Sequence, residues 1–298
     1  MIHRQDTALL PFGREHFGFS DGFAQPSLAG SGQPNRPGEG VPRSFAGWRL
    51  LRPGEILLGY EDEDGLVPPA PPAPLHRNAS FMVVRKLHQD VAAWRTWLRA
   101  AADEWAGGDQ EWLAAKIVGR WTDGTSTAQQ PHRSPHRQVT DLHEINAFRY
   151  GRDPAGLKCP VGAHIRRTNP REGLAGGSAR TRRHRIIRRG MPYGAPLQGT
   201  ADDGAERGLH FACFNASIAR QFEVVQQWQV DGNVFGLGRG NRDFMAGGAG
   251  AEQQFVLPGD PPVRLPAPER PFVGVRGGEY LYVPSLRGLR AIAAGEAG

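Results

Sequence analysis

Residues 80–121 constrain the fold most. SFMVVRKL (80–87) is β-branched and apolar and reads as a strand. QDVAAWRTWLRAAADEWA (89–106) follows, with Val91, Trp94, Leu98 and Trp105 on one helical face and Asp90 near its N-terminus. EWLAAKIVGRW (111–121) reads as a second helix with no strand before it. A repeating βαβ fold needs strand and helix to alternate, and here they do not. Further on, RRHRIIRRG holds a short strand around Ile186 and Ile187, and GLHFACFNA (208–216) reads as an interior strand. SIARQFEVVQQWQ (217–229) is helical, with Ile218, Phe222, Val225 and Trp228 at helical spacing after the cap candidate Ser217. PFVGVRGGEYLYVPSL (271–286) predicts a hairpin turning at Gly277-Gly278. This order predicts an α+β fold with helices on an antiparallel sheet, the ferredoxin-like class.

The rest of the chain connects these elements. Residues 26–43 and 122–140 read as loops, EILLGY (55–60) as a short apolar run and EDEDG (61–65) as an acidic turn. LVPPAPPAPLH (66–76) is a stiff polyproline-like linker that divides 1–76 from 77–298. With 298 residues, 39% of them hydrophobic, and a mean hydropathy of -0.48, the chain is expected to be a soluble globular protein. It has no apolar run of membrane-spanning length, and MIHRQDTALLPFGREHFGF lacks a signal-peptide pattern. Two cysteines, Cys159 and Cys213, make neither a disulfide framework nor a CxxC metal site and fit a reducing, cytoplasmic compartment. The net charge of +6 is local: nine arginines fall between Arg166 and Arg189, with Glu172 the only acid among them. That excess permits an anionic partner without naming one.

Three stretches carry chemistry. In GFSDG (18–22) the glycines allow a tight turn that holds Asp21 beside a ligand, although Asp-Gly is also an ordinary turn signal. In CPVGAHIRRTNPR (159–171), His164 is a metal-ligand candidate or a structural histidine, and the arginines are anion holders or a basic turn. In RRGMPYG (188–194), Arg188 is either a permanent cation for a developing negative charge or a solvated surface residue.

Together and in this order, GFSDGFAQP, RNASFMVVRKLHQDVAAW, AAKIVGRWTDGT, CPVGAHIRRTNPR, RRGMPYG, RQFEVVQQW and GGEYLYVP strongly resemble the dye-decolourising peroxidases, a family of haem enzymes. The resemblance implies a ferredoxin-like, dimeric α+β barrel type of fold. It implies haem b as cofactor, hydrogen peroxide and small aromatic or phenolic reductants as partners, and no nucleic acid or membrane. Asp21 matches the acid that moves the peroxide proton, Arg188 the arginine opposite the departing charge, and His164 the axial ligand of haem iron. Arg166 and Arg171 match positions at the haem propionates or the peroxide route. Asp243 in GRGNRDFMAG is the candidate carboxylate behind the axial histidine, with Glu223 its rival. Phe211 and Phe214 match an apolar pocket wall, although strand alternation aims only one of them inward. Tyr193 and Trp228 match positions that pass electrons to bulky dyes in some members, or they simply pack in the core.

In the family, GxxDG follows most of an N-terminal ferredoxin-like domain, whereas here seventeen residues precede Gly18. The expectation is therefore a remnant of that domain with the Pro/Gly-rich linker over 1–76 and a complete C-terminal haem domain over 77–298. An uncovered domain face exposes apolar surface at roughly 25 cal/mol per Å², so such a chain is expected to hold haem less firmly and to tend to homo-oligomerise. Two other readings remain: a haem-binding remnant with little turnover, and a basic nucleic-acid-binding protein using the 166–189 arginines.

Overall fold

The computed structural model describes residues 10, 13–43, 47–132, 144–248 and 253–296. Its centre is an antiparallel sheet in the order β4 (Ile187–Arg188), β6 (Gly208–Asn215), β3 (Ser80–Gln89), β9 (Val273–Val283), with β5 (Met191–Tyr193) also pairing β6. After β3 come α1 (Val91–Trp105) and α2 (Gln110–Val118), and α5 (Phe222–Val230) separates β6 from β9. This is the expected ferredoxin-like arrangement.

The helices form where the apolar period and the caps agree. The Asp90 carboxylate accepts the Ala93 amide at 2.9 Å, and Asp109 accepts the Trp112 amide at 2.8 Å. In α1, Val91, Trp94 and Leu98 are buried. Trp94 and Leu98 share a core with Leu113 and Ile117 of α2, and Phe244, Phe255, Leu265 and Phe272 complete it. Phe255 and Leu265 lie on the hairpin of β7 (Gln254–Leu257) and β8 (Val263–Pro266). Helix α2 ends on Gly119 at φ +92°, where a Cβ would lie 2.5 Å from Ile165. That contact seats α3 (His164–Thr168) against it.

Two expectations are corrected. No hairpin turns at Gly277-Gly278, because β9 runs straight through both as one strand paired to β3. A Cβ on Gly278 would lie 2.3 Å from the Val84 carbonyl oxygen, so this glycine permits close strand approach, not reversal. The register shifts between Lys86 and Leu87, which marks a bulge beside the same glycines. Ser217 does not cap α5, since that helix begins at Phe222. Ser217 instead closes the preceding turn by accepting the Arg220 amide at 3.3 Å.

Residues 13–43 and 47–76 lie against the sheet mostly as loops, with β1 (Val41–Pro42) and β2 (Trp48–Arg49) forming a short ladder. Leu58 shares a core cluster with Ala79 and Ala216. The acidic turn has a definite partner: Arg220 binds Asp62 at 2.5 Å, Asp64 at 3.1 Å and Glu55 at 3.2 Å. Residues 133–140 of the expected 122–140 loop lie outside the described residues. Among the described residues no helix is long and apolar enough to cross a membrane.

Candidate active site

A cavity of about 340 Å³ lies on one face of the sheet. Arg85, Leu87 and Gln89 of β3, Leu209 and Phe211 of β6, and Val273 and Val275 of β9 line it, every second residue of each strand. His164 of α3 lines it too, as do Asp21, Arg188 and Arg171.

His164 starts α3, which Arg166 and Arg167 tie down from behind. Arg166 donates to the carbonyls of Cys159 at 2.7 Å and Asp153 at 2.9 Å and pairs with the Asp153 carboxylate at 3.3 Å. Arg167 donates to the Gly162 carbonyl at 3.2 Å and that of Trp228 at 3.0 Å. Both arginines are buried. Arg166, expected at the propionates or the peroxide route, is not among the residues that line the cavity and makes these backbone and Asp153 contacts instead.

His164 Nδ1 lies 2.8 Å from Asp243 Oδ2. Asp243 is 1% exposed, and its other oxygen accepts the Met245 amide at 2.8 Å. Burial would raise the Asp243 pKa, but the His164 charge and hydrogen bond, Arg167 and the Met245 amide hold it below the usual range. An ionised Asp243 makes Nδ1 the donor, so that in the neutral imidazole the Nε2 lone pair is free. Burial alone would lower the His164 pKa, and Asp243 more than reverses this. The rival acid, Glu223, lies elsewhere and accepts from the Tyr280 hydroxyl at 3.0 Å.

Asp21 and Arg188 come together from 167 residues apart, with Nη1 3.0 Å from Oδ1. Oδ1 also accepts the Gly22 amide at 2.6 Å. Arg188 is fixed further by the Phe23 carbonyl at 2.7 Å, while its own amide donates to Gln25 at 2.9 Å. Burial would raise the Asp21 pKa, but Arg188, the Gly22 amide and the more distant His164 together bring it below its ordinary value.

Among the described residues, three buried arginines on the cavity wall have carbonyl and amide oxygens as hydrogen-bond partners and no carboxylate. Arg171 donates to the carbonyls of Phe148 at 2.7 Å and Asn146 at 3.1 Å. Arg120 donates to the Gly124 carbonyl at 2.7 Å and the Asn146 side chain at 2.7 Å. Arg185 donates to the carbonyls of Glu39 at 3.1 Å and Gly40 at 3.2 Å. Burial and then repulsion from Arg171 push the Arg120 and Arg185 pKa values down to about 10. Three cations crowded on one wall are suited to an anionic ligand. Arg120 and Arg185 went unremarked in the sequence, because nothing in the spacing of either shows that it borders the cavity.

The remaining candidates separate. Phe211 lines the cavity, while Phe214 faces away from it, three residues along the same strand. Tyr193 is 0% exposed and stacks on His210, and Trp228 is 6% exposed and packs with Leu174 and Val225. Neither reaches a dye at the surface directly. Of the nine arginines from 166 to 189, only Arg180 and Arg189 are exposed.

Among the described residues no group of three or more His, Cys, Asp or Glu gathers to hold a bare metal ion. A metal on His164 therefore needs other donors, as a macrocycle provides. The His164 imidazole backed by a carboxylate, the apolar walls and the arginines with no carboxylate partner among the described residues fit a haem and its two propionates.

Residues 64–243 match the family described as "Dyp-type peroxidase, C-terminal". The chain is 33% identical to the multifunctional dye peroxidase DyP2 of an Amycolatopsis species, over 94% of this chain and 61% of that protein. It is 30% identical to the dye-decolorizing peroxidase msp1 of Mycetinis scorodonius, over 98% of this chain and 60% of that protein. Among solved structures, a mutant of the dye-decolorizing peroxidase from Pleurotus ostreatus superposes with a TM-score of 0.77 at 26% identity, over 96% of this chain and 63% of that one. An ancestral D-type dye decolorizing peroxidase gives 0.74 at 28% identity, over 96% and 64%. The fold is that of the ferredoxin-like α+β class. The chain belongs to the Dyp-type peroxidase family, whose members are haem-dependent. It spans about 60% of the length of the curated relatives it matches.

Proposed function

We propose that this chain binds haem b in the cavity and acts as a peroxidase, reducing hydrogen peroxide and oxidising dyes or other aromatic and phenolic donors. The observation that carries this reading is the pairing of His164–Asp243 with Asp21–Arg188 on the wall of one cavity. In it, 77–298 supplies the haem-binding sheet and 1–76 supplies Asp21. Two buried free thiols, Cys159 and Cys213, support a reducing compartment such as the cytoplasm.

His164 would hold the iron through Nε2, and Arg171 with Arg120 and Arg185 would hold the propionates. The bound haem supplies the iron redox chemistry that splits peroxide and then draws electrons from a donor. Asp21, kept ionised by Arg188, takes the proton from the inner peroxide oxygen and delivers it to the outer one, so that water leaves. Both hydrogen bonds to Asp21 engage Oδ1, which leaves Oδ2 for the proton. The Arg188 guanidinium offsets negative charge on the departing oxygen. The Asp243 carboxylate keeps the imidazole oriented and electron-rich.

Haem titration followed by peroxide and a dye tests the proposal. A Soret band together with peroxide-dependent bleaching is expected. A Soret band without bleaching would reduce the function to haem binding, and no Soret band would overturn it.

A further inference from the structure

Asp21 lies on a loop, and a loop does not by itself hold a carboxylate in place. The residue that folds this loop is Glu15. Its Oε2 accepts the Phe17 amide at 2.9 Å and its Oε1 the Phe19 amide at 2.9 Å. Its own amide donates to the Phe19 carbonyl at 3.0 Å, and its carbonyl accepts the Gly18 amide at 2.9 Å. Arg14 and Ser20 then pair as a β-bridge, and the Asp21 amide donates to Gly13 at 3.3 Å. Gln89, at the end of the central strand β3, donates to Glu15 Oε2 at 2.6 Å and keys the turn to the sheet. Both Glu15 and Gln89 line the cavity.

We infer that Glu15 is a positioning residue, whose carboxylate clamps the 15–19 turn to β3 and thereby sets where Asp21 stands on the cavity wall. The inference rests on the proposed role of Asp21. Three donors converge on one carboxylate here, and charge-assisted bonds of this kind are stronger than neutral ones. Loss of either oxygen frees an amide two or four residues from Glu15, inside the turn that leads to Asp21. Glu15 needs no contact with peroxide for this, since it acts through the backbone.

The test joins hydrogen exchange on the full chain without haem to a double-mutant cycle on the haem-loaded chain. In Glu15→Gln, the Phe17 and Phe19 amides should exchange faster while those of β3 keep their protection. The peroxide reaction should slow by about tenfold to a hundredfold, as expected for a misplaced catalytic group. In the Asp21→Asn background the same substitution should slow it no further. Gln89→Leu, which removes only the link to the sheet, should show the same pattern at smaller size, and it serves if Glu15→Gln fails to fold. Unchanged exchange at Phe17 and Phe19, or losses that multiply in the double variant, would overturn the inference. If Asp21→Asn reacts with peroxide as fast as the parent, the proposed role of Asp21 fails, while the exchange result still decides whether Glu15 holds the turn.

Discussion

The two walls of the cavity are built differently. On the His164 side, the ligand candidate begins a helix seated on Gly119, and its partner Asp243 is 1% exposed within the main core. On the Asp21 side, the acid and the arginine are each about 35% exposed through their side chains, one on a loop and the other on a two-residue strand. The first wall is anchored through Asp243, which the core encloses although the His164 side chain itself is 31% exposed toward the cavity. The second is held by polar bonds between distant segments. The His164 wall should thus govern whether haem stays, and the Asp21 wall how fast peroxide reacts.

His164→Ala should have the largest effect, removing the axial nitrogen and with it the parent Soret spectrum in a haem titration. A retained parent spectrum would move the ligand elsewhere. Arg188→Leu should keep haem but slow the peroxide step by roughly 10²–10³-fold in stopped-flow measurements. It also removes the cation that lowers the Asp21 pKa, so the acid limb of the rate profile should move to higher pH. Asp243→Asn should cost about 10–100-fold in haem affinity or peroxide rate, the range seen when a group behind a metal ligand is lost. If it weakens haem no more than Arg188→Leu does, the division of labour between the two walls is wrong. Tyr193→Phe and Trp228→Phe should have the smallest effect, less than about twofold on the bleaching of a bulky dye, because both side chains are buried. A large loss for either would make it part of an electron path despite its burial.

The sequence made the helices legible where local signals agree. Asp90 caps α1, and Trp94 and Leu98 recur at helical spacing on its buried face. It misled at Gly277-Gly278, where a turn signal marks close strand approach, a property of the partner strand that no local pattern shows. His164, Asp21 and Arg188 were singled out through motif order, since no local pattern links residues that converge from up to 167 positions apart. Arg166 was matched to the haem propionates or the peroxide route through the motif, and the helix turns it toward Asp153. Glu15, Arg120 and Arg185 were not singled out, because their roles depend on which backbone groups the fold brings to them. The basic stretch from 166 to 189 reads as a surface patch in one dimension. In three dimensions Arg182 and Arg183 pair with Glu63 and Asp64, and most of the others turn inward.

The pH profile of the peroxide step, measured in the haem-loaded parent and in Asp21→Asn, bears most directly on the chemistry assigned to the cavity. The working form of Asp21 is ionised and its pKa lies below the ordinary 3.8, so activity is lost only as pH falls through that lowered value. The parent should therefore hold its rate from neutral pH to about 4, the ordinary carboxylate range, and fall only below it. Asp21→Asn should be slower by about 10²-fold or more from neutral pH to about 4, with no acid limb of this kind, so that the two profiles converge in acid. A parent profile that titrates near 6.5, as an unperturbed histidine does, and that is unchanged in Asp21→Asn, would contradict the account.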